Sequence, residues 1–181
     1  MYRKYIKRLL DIVLSVVFMI VLSPLFLITA ILVKITLGSP IIFKQEREGL
    51  NKKTFIMYKF RVMDFNYDAP REKRMDKVGK FLDVYKLNEL AQLINVLKGD
   101  MSIVGPRPFI PNDELPDISI PKERYLVKPG ITGLAQVNGI RQISHEDKLK
   151  YDKIYYEKLS FWLDLKIVLL TPIAIIKYRK G

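Results

Sequence analysis

The sequence contains no cysteine and a single histidine, His145. The first absence excludes disulfides, thiolate metal sites and a cysteine nucleophile, and nothing in the chain calls for an oxidising compartment. The second leaves His145 without a partner of its own kind, a poor metal ligand and a weak base that reads as a surface residue. Neither Gly-x-x-x-x-Gly-Lys nor Gly-x-Gly-x-x-Gly occurs, which removes the P-loop and the dinucleotide fingerprint. Internal repeats and low-complexity segments are missing too. Acidic residues are few beside basic ones: 19 Asp+Glu stand against 31 Lys+Arg, a formal net charge of +12. That balance suits phosphate-rich partners, whether nucleic acid, an anionic membrane surface, or nucleotide and lipid phosphates. Basic and aromatic residues are too scattered to form a base-stacking stripe, which argues against nucleic acid.

What is present begins with an uncharged run from Ile12 to Val33. As a helix rising about 1.5 Å per residue it would reach roughly 33 Å, enough for a bilayer core. It is too long for a signal peptide and has no small-residue cleavage site. Ser23-Pro24 lies near its middle, where proline removes a backbone donor and frees the Ile20 carbonyl, so a kink or break is expected. Basic residues flank both ends, Arg3, Lys4, Lys7 and Arg8 before and Lys34 and Lys44 after. The positive-inside rule therefore gives no orientation. A plain span with a tolerated proline and a re-entrant helix with both ends on one face remain open on these grounds.

The 181 residues allow one moderate domain plus this accessory segment. Residues 40–63 alternate as a hairpin around Gly49, with Lys59 and Arg61 on one strand face and Tyr58 and Phe60 on the other. Residues 64–80, polar and containing Pro70, read as a surface loop entering a short helix. Leu87, Leu90, Ala91, Ile94 and Leu97 recur at helical spacing, which predicts a helix from Leu87 to Lys98 stopped by Gly99. The prolines between Pro106 and Pro121, and the turn-rich stretch at 127–133, predict loops. His145 to Ser160 predicts a polar helix bearing Tyr151, Asp152, Tyr155 and Tyr156, where Asp152 could bind a nearby arginine. Phe161 to Tyr178, interrupted by Asp164, Lys166 and Pro172, predicts a core or interfacial helix.

Asn88 and Glu89 fall at the start of the strongest helix, where unpaired backbone N–H groups favour an anion. The alternative is an ordinary N-cap followed by a first-turn acid. Arg107, between two prolines, is a stiffly held guanidinium suited to phosphate. Lys59 and Arg61 add positive charge, though a solvated strand edge would look the same.

Taken in order, five segments carry a family likeness: Phe-Lys-Gln-Glu-Arg at 43–47, Tyr-Lys-Phe-Arg-Val-Met at 58–63, Leu-Lys-Gly-Asp-Met-Ser-Ile-Val-Gly-Pro-Arg-Pro at 97–108, Pro-Gly-Ile-Thr-Gly-Leu-Ala-Gln-Val-Asn-Gly at 129–139 and Leu-Asp-Leu-Lys at 163–166. With them the chain resembles the bacterial sugar transferases, monotopic phosphoglycosyl transferases, from about Tyr2 to Lys180. The resemblance implies transfer of a phosphosugar from a UDP-sugar to undecaprenyl phosphate, giving undecaprenyl-diphosphate-sugar and UMP with Mg²⁺, the first membrane step of glycan assembly. It implies a helix-rich α/β fold with few short strands. Residues 1–37 would be a re-entrant membrane helix broken at Ser23 and Pro24, and 38–181 a catalytic domain on the cytoplasmic face of the bacterial inner membrane, against the anionic cytoplasmic leaflet.

The family's mechanism rests on an Asp-Glu dyad whose aspartate forms a covalent phosphosugar intermediate. The corresponding catalytic and metal-binding pair here is Asn88 and Glu89, with Lys59, Arg61, Arg107 and Arg141 implied as phosphate contacts. The chain departs from the family at the nucleophile, since a neutral amide attacks poorly and binds Mg²⁺ more weakly than a carboxylate. It departs also at Asp83, Ala91 and Ile140, where an arginine, a proline and an arginine are expected. Asn88 could be an engineered change, a natural loss of catalysis, or a sign that Glu89, Asp83 or Asp64 has taken over. A non-catalytic binding or scaffold protein of the same fold is the alternative reading.

Overall fold

The computed structural model describes residues 2–65, 68, 70–111, 120–139 and 142–178. A short π-helical turn, Tyr2–Ile6, leads into α1 (Lys7–Val21) and α2 (Ser23–Leu37), which meet at 65° across Leu22. Pro24 lies in the first turn of α2, where its missing N–H costs least. The Ile20 carbonyl, which loses its helical donor to that proline, accepts instead from Ser23 Oγ at 2.8 Å. The expected break is therefore real, and Ser23 and Pro24 make it together. No single described helix is long and apolar enough to cross a membrane, whereas the bent pair meets that test by length and composition.

β1 (Ile42–Glu48) and β2 (Thr54–Phe60) form the expected antiparallel hairpin, with Gln45 opposite Met57 and Lys44 opposite Tyr58. Its turn is built on Asn51 and Lys52, both left-handed, with φ of 55° and 59°. Two helices follow, α3 (Arg71–Arg74) and α4 (Lys77–Val84); the side chain of Asp76 caps α4 by accepting from Gly79 N at 2.6 Å.

The predicted helix from Leu87 to Lys98 is not continuous. Leu87–Ala91 is a 3₁₀ turn and only Gln92–Lys98 is α-helical, α5, stopped by Gly99 at φ 94°. The tighter first turn winds faster, about 120° per residue against 100°, and rotates the buried face. Asn88, Glu89, Gln92 and Asn95 are buried while Ile94 faces out. Buried Asn95 accepts from Tyr58 N at 2.9 Å and donates to Ile56 O at 2.7 Å, fastening α5 to the open edge of β2.

β3 (Ser102–Val104) and β4 (Gly130–Thr132) pair in parallel as a second, two-stranded sheet. A 3₁₀ turn at Lys122–Leu126 precedes β4, and α6 (Leu134–Gly139), α7 (His145–Lys158) and α8 (Phe161–Lys177) complete the chain. His145 lies on the surface, as expected. Two apolar cores result. Met57, Val96, Met101, Ile103, Val104, Val127, Tyr155 and Ile167 fill one; Val33, Phe60, Val62, Leu82 and Ala91 fill the other.

The first half of α1 is bound to the domain by buried polar groups rather than by apolar packing alone. Asp11 accepts from Ser102 Oγ and Ile103 N, each at 2.9 Å. Lys7 meets Asp164 of α8 at 2.7 Å, and the same carboxylate accepts from Tyr2 and Tyr155 at 2.6 and 2.8 Å. Beyond these anchors α1 and α2 turn out Val13, Val17, Ile20, Leu27, Ile28 and Ile31, while α8 turns out Trp162, Leu169, Ile173 and Ile176.

Candidate functional site

The site begins at Lys86, a non-glycine residue held in the left-handed region at φ 60°. This bend, followed by the bond from Glu89 N to Lys86 O at 3.0 Å, drives Asn88 and Glu89 inward, where 4% and 6% of their surfaces remain exposed. Glu89 Oε1 lies 2.9 Å from Arg107 Nη2 and 3.6 Å from Lys59 Nζ, and Arg107 Nη1 reaches the second carboxylate oxygen at 3.4 Å. Burial works to protonate Glu89, but Arg107 and then Lys59 outweigh it and hold the carboxyl well below the usual range. Lys59 shows the reverse balance: burial, only partly offset by Glu89, brings its ammonium down to about 8. Asn88 Oδ1 is buried and, among the described residues, accepts no hydrogen bond.

Arg107 is carried on a turn held at three points. Gly105 N donates to Thr132 O at 2.9 Å, Gly130 N to Pro106 O at 2.9 Å, and Arg124 Nη2 to Arg107 O at 2.6 Å. Arg124 is itself buried, 3.3 Å from Asp152 and stacked 3.4 Å over the Phe109 ring. The arginine expected near Asp152 is thus Arg124, and it supports the site from behind.

Two cavities open on this cluster. One, of about 400 Å³, is polar and cationic, with Arg47, Lys59, Arg61, Arg74 and Arg107 around Asn88, Glu89, Asp83 and Asp64. The other, of about 360 Å³, is an apolar groove between α1, the Leu87–Ala91 turn and α8, lined by Phe18, Leu22, Leu90, Val168 and Pro172, with Lys86 and Gln136 among its few polar residues. Glu89 and Arg107 belong to both. The structure places Asn88, Glu89, Lys59, Arg61 and Arg107 around one cavity, while Arg141 falls outside the described residues. Arg47, Lys86, Arg124 and Gln136 went unnoticed as site residues. Arg47 and Gln136 lie inside conspicuous motifs, but a motif does not say which of its residues face a cavity.

Among the described residues no group of three or more histidine or acidic side chains could hold a metal by itself. Glu89 with the unpaired Asn88 oxygen fits a different arrangement, a hard cation completed by substrate phosphate and water.

Residues 2–178 match the family model described as bacterial sugar transferase. The chain is 44% identical over 172 residues to the uncharacterized sugar transferase EpsL of Bacillus subtilis, covering 92% of this chain and 85% of that protein. It is 43% identical over 180 residues to the UDP-glucose:undecaprenyl-phosphate glucose-1-phosphate transferase of Klebsiella pneumoniae, covering 91% of this chain and 39% of that one. Identity to the undecaprenyl-phosphate galactose phosphotransferase of Salmonella typhimurium is 34% over 198 residues, covering 96% of this chain and 41% of that protein. The chain therefore spans most of EpsL but only about two fifths of the two named transferases.

Proposed function

The chain belongs to the bacterial sugar transferase family, and from that premise we propose that it is a phosphoglycosyl transferase acting between a UDP-sugar and undecaprenyl phosphate. The observation that carries this is the shared wall: a cationic cavity and an apolar groove both end on Glu89 and Arg107. A nucleotide diphosphate suits the first. A phosphate with a long hydrocarbon tail suits the second.

In the polar cavity Lys59, Arg61 and Arg107 take up the charge of the donor diphosphate, with Arg47 beside them. Position 88 faces the phosphorus bearing the sugar. A carboxylate there would attack that phosphorus, its bond to the UMP oxygen would break, and UMP would leave with the electron pair. A phosphate oxygen of the acceptor would then attack the same phosphorus and free the carboxylate. Glu89 keeps Arg107 and Lys59 aimed at this point. Glu89 and the Asn88 oxygen would hold Mg²⁺, which when bound would supply positive charge against the diphosphate.

Asn88 limits the first of these steps, because an amide oxygen is a weak nucleophile and its acyl phosphate analogue does not form readily. We therefore assign this chain intact substrate sites and impaired turnover. Residues 1–37 would enter the membrane and return, and residues 38–181 would rest on its cytoplasmic face. The bend at Ser23 and Pro24 and the outward apolar faces of α1, α2 and α8 support that placement.

The test is UMP release from UDP-sugars with undecaprenyl phosphate and Mg²⁺. Asn88→Asp is expected to raise the rate by about a thousandfold or more, the scale on which nucleophiles matter. UDP-sugar binding with no UMP release from either protein would select the binding or scaffold reading instead. Full activity of the chain as it stands, lost in Glu89→Ala, would move the nucleophile to Glu89.

A further inference from the structure

The turn that carries Arg107 is fastened through its carbonyl oxygens. Proline at positions 106 and 108 removes the backbone donor on either side of Arg107, and four successive carbonyls are taken up by distant elements instead. Pro106 O accepts from Gly130 N at 2.9 Å, Arg107 O from Arg124 Nη2 at 2.6 Å, Pro108 O from Arg47 Nη1 at 3.3 Å and Phe109 O from Glu48 N at 2.9 Å. The side chain of Arg107 is 49% exposed, so close packing does not aim its guanidinium. The backbone beneath it and Glu89 do.

Of those four bonds the one to Arg107 O is the shortest, and it is made by a buried cation. Arg124 is 4% exposed, with its Nη1 3.3 Å from Asp152 Oδ2 and its guanidinium 3.4 Å over the Phe109 ring. Asp152 is equally buried, and burial pushes its carboxyl up to about 6 against the pull of Arg124. Burying two charges is costly, and an apolar pair of similar size commonly stabilises a fold as well or better. Stability alone therefore does not account for this pair. What a guanidinium adds is its fork, which here serves a carboxylate of α7 with one nitrogen and a carbonyl of the turn with the other. Tyr155, three residues after Asp152 in α7, donates to Val104 O at 3.0 Å, so the same helix grips the chain just before the turn and, through Arg124, the turn itself.

We propose that Arg124 is a positioning residue for donor binding: paired with Asp152 of α7, it fixes the Arg107 carbonyl so that the Arg107 guanidinium faces the diphosphate in the polar cavity. The proposal rests on the reading of that cavity as the donor site. Arg124 stands behind the turn and lines neither cavity, so it touches no ligand and acts through Arg107.

A double-mutant cycle on UDP-sugar binding to the full chain in detergent micelles tests this. The pair is replaced together, Arg124→Met with Asp152→Leu, which leaves neither charge buried alone, and the replacement is made with and without Arg107→Met. With Arg107 present it is expected to weaken UDP-sugar binding about ten- to a hundredfold, the scale of a hydrogen bond to a charged group. With Arg107→Met already in place the same replacement should change affinity by less than about twofold. Arg124→Lys, which keeps a cation for Asp152 without the fork, is expected to give the same pattern and serves in its place if the replaced pair does not fold. Unchanged affinity with Arg107 present would overturn the assignment. So would an equal loss in both backgrounds, which is what a general loosening of the fold produces. An Arg107→Met protein that binds the UDP-sugar as tightly as the wild type would instead overturn the donor reading of the cavity, and this proposal with it.

Discussion

At the scale of single residues the site depends on a charge balance rather than on any one group. Glu89 is buried and would be costly to ionise alone; Arg107 and Lys59 make it a carboxylate, and it in turn keeps Lys59 from losing its proton outright. Lys59 is nevertheless poised at about 8, and only its charged form neutralises a phosphate. UDP-sugar affinity is therefore expected to fall as pH rises through about 8, because the free protein then has to regain a proton to bind. Lys59→Arg, whose charge persists, should flatten that fall, as calorimetric titrations between pH 7 and 9.5 would reveal. Much of this cluster was legible in the chain: Lys59, Arg61 and Arg107 stand in motifs whose residue types suit phosphate, and Asn88 and Glu89 at a predicted helix start. Arg124 was not, because an arginine on a turn carries no signal until its partners are known. Nor was Lys86, whose left-handed backbone is a property of the turn and not of lysine.

At the scale of elements, local patterns succeeded where one interaction dominates and failed where two compete. Alternation fixed the hairpin of β1 and β2, and the freed Ile20 carbonyl foretold the break between α1 and α2. The strong helical spacing from Leu87 misread both the winding and the buried face, since the bend at Lys86 tightens the first turn and Asn95 must reach the edge of β2. What holds α1 in place was also hidden, because its partners are distant in sequence. Lys7 and Asp164 are joined at 2.7 Å with side chains 10% and 8% exposed. Lys7→Met leaves Asp164 without its cation, and breaking a buried pair in this way costs about 3–5 kcal/mol. The expected result is a lower melting temperature together with faster proteolysis near the N-terminus, whereas a variant as stable as the wild type would mean that the two tyrosines suffice for Asp164.

At the scale of the whole molecule, the bent helix pair and α8 both leave apolar side chains exposed, which the proposed membrane seat would cover. The sequence supplies a reporter for this, since Trp162 is the sole tryptophan and 74% of it is exposed. It stands at the N-terminal end of α8 beside Phe161, whose ring lies 5.3 Å away, an aromatic pair of the kind found at membrane interfaces. Its emission is expected to shift to shorter wavelength on addition of vesicles containing anionic lipid, with little change when Trp162→Phe is the protein added. An emission spectrum indifferent to vesicles would place α8 away from the bilayer. Composition and hydropathy marked the apolar run of the bent helix pair, but not that the apolar groove would run from the helix break to the charged cluster.

With donor and acceptor seated as proposed, that continuity would make Glu89 and Arg107 a partition with a guest on each side. An anion on one side draws on the same guanidinium that the other side needs, so filling either cavity alters the affinity of its neighbour, and by thermodynamic reciprocity each guest changes the other by the same factor. On the proposed reading, occupancy on one face of that wall would be felt on the other without any movement of the backbone between them.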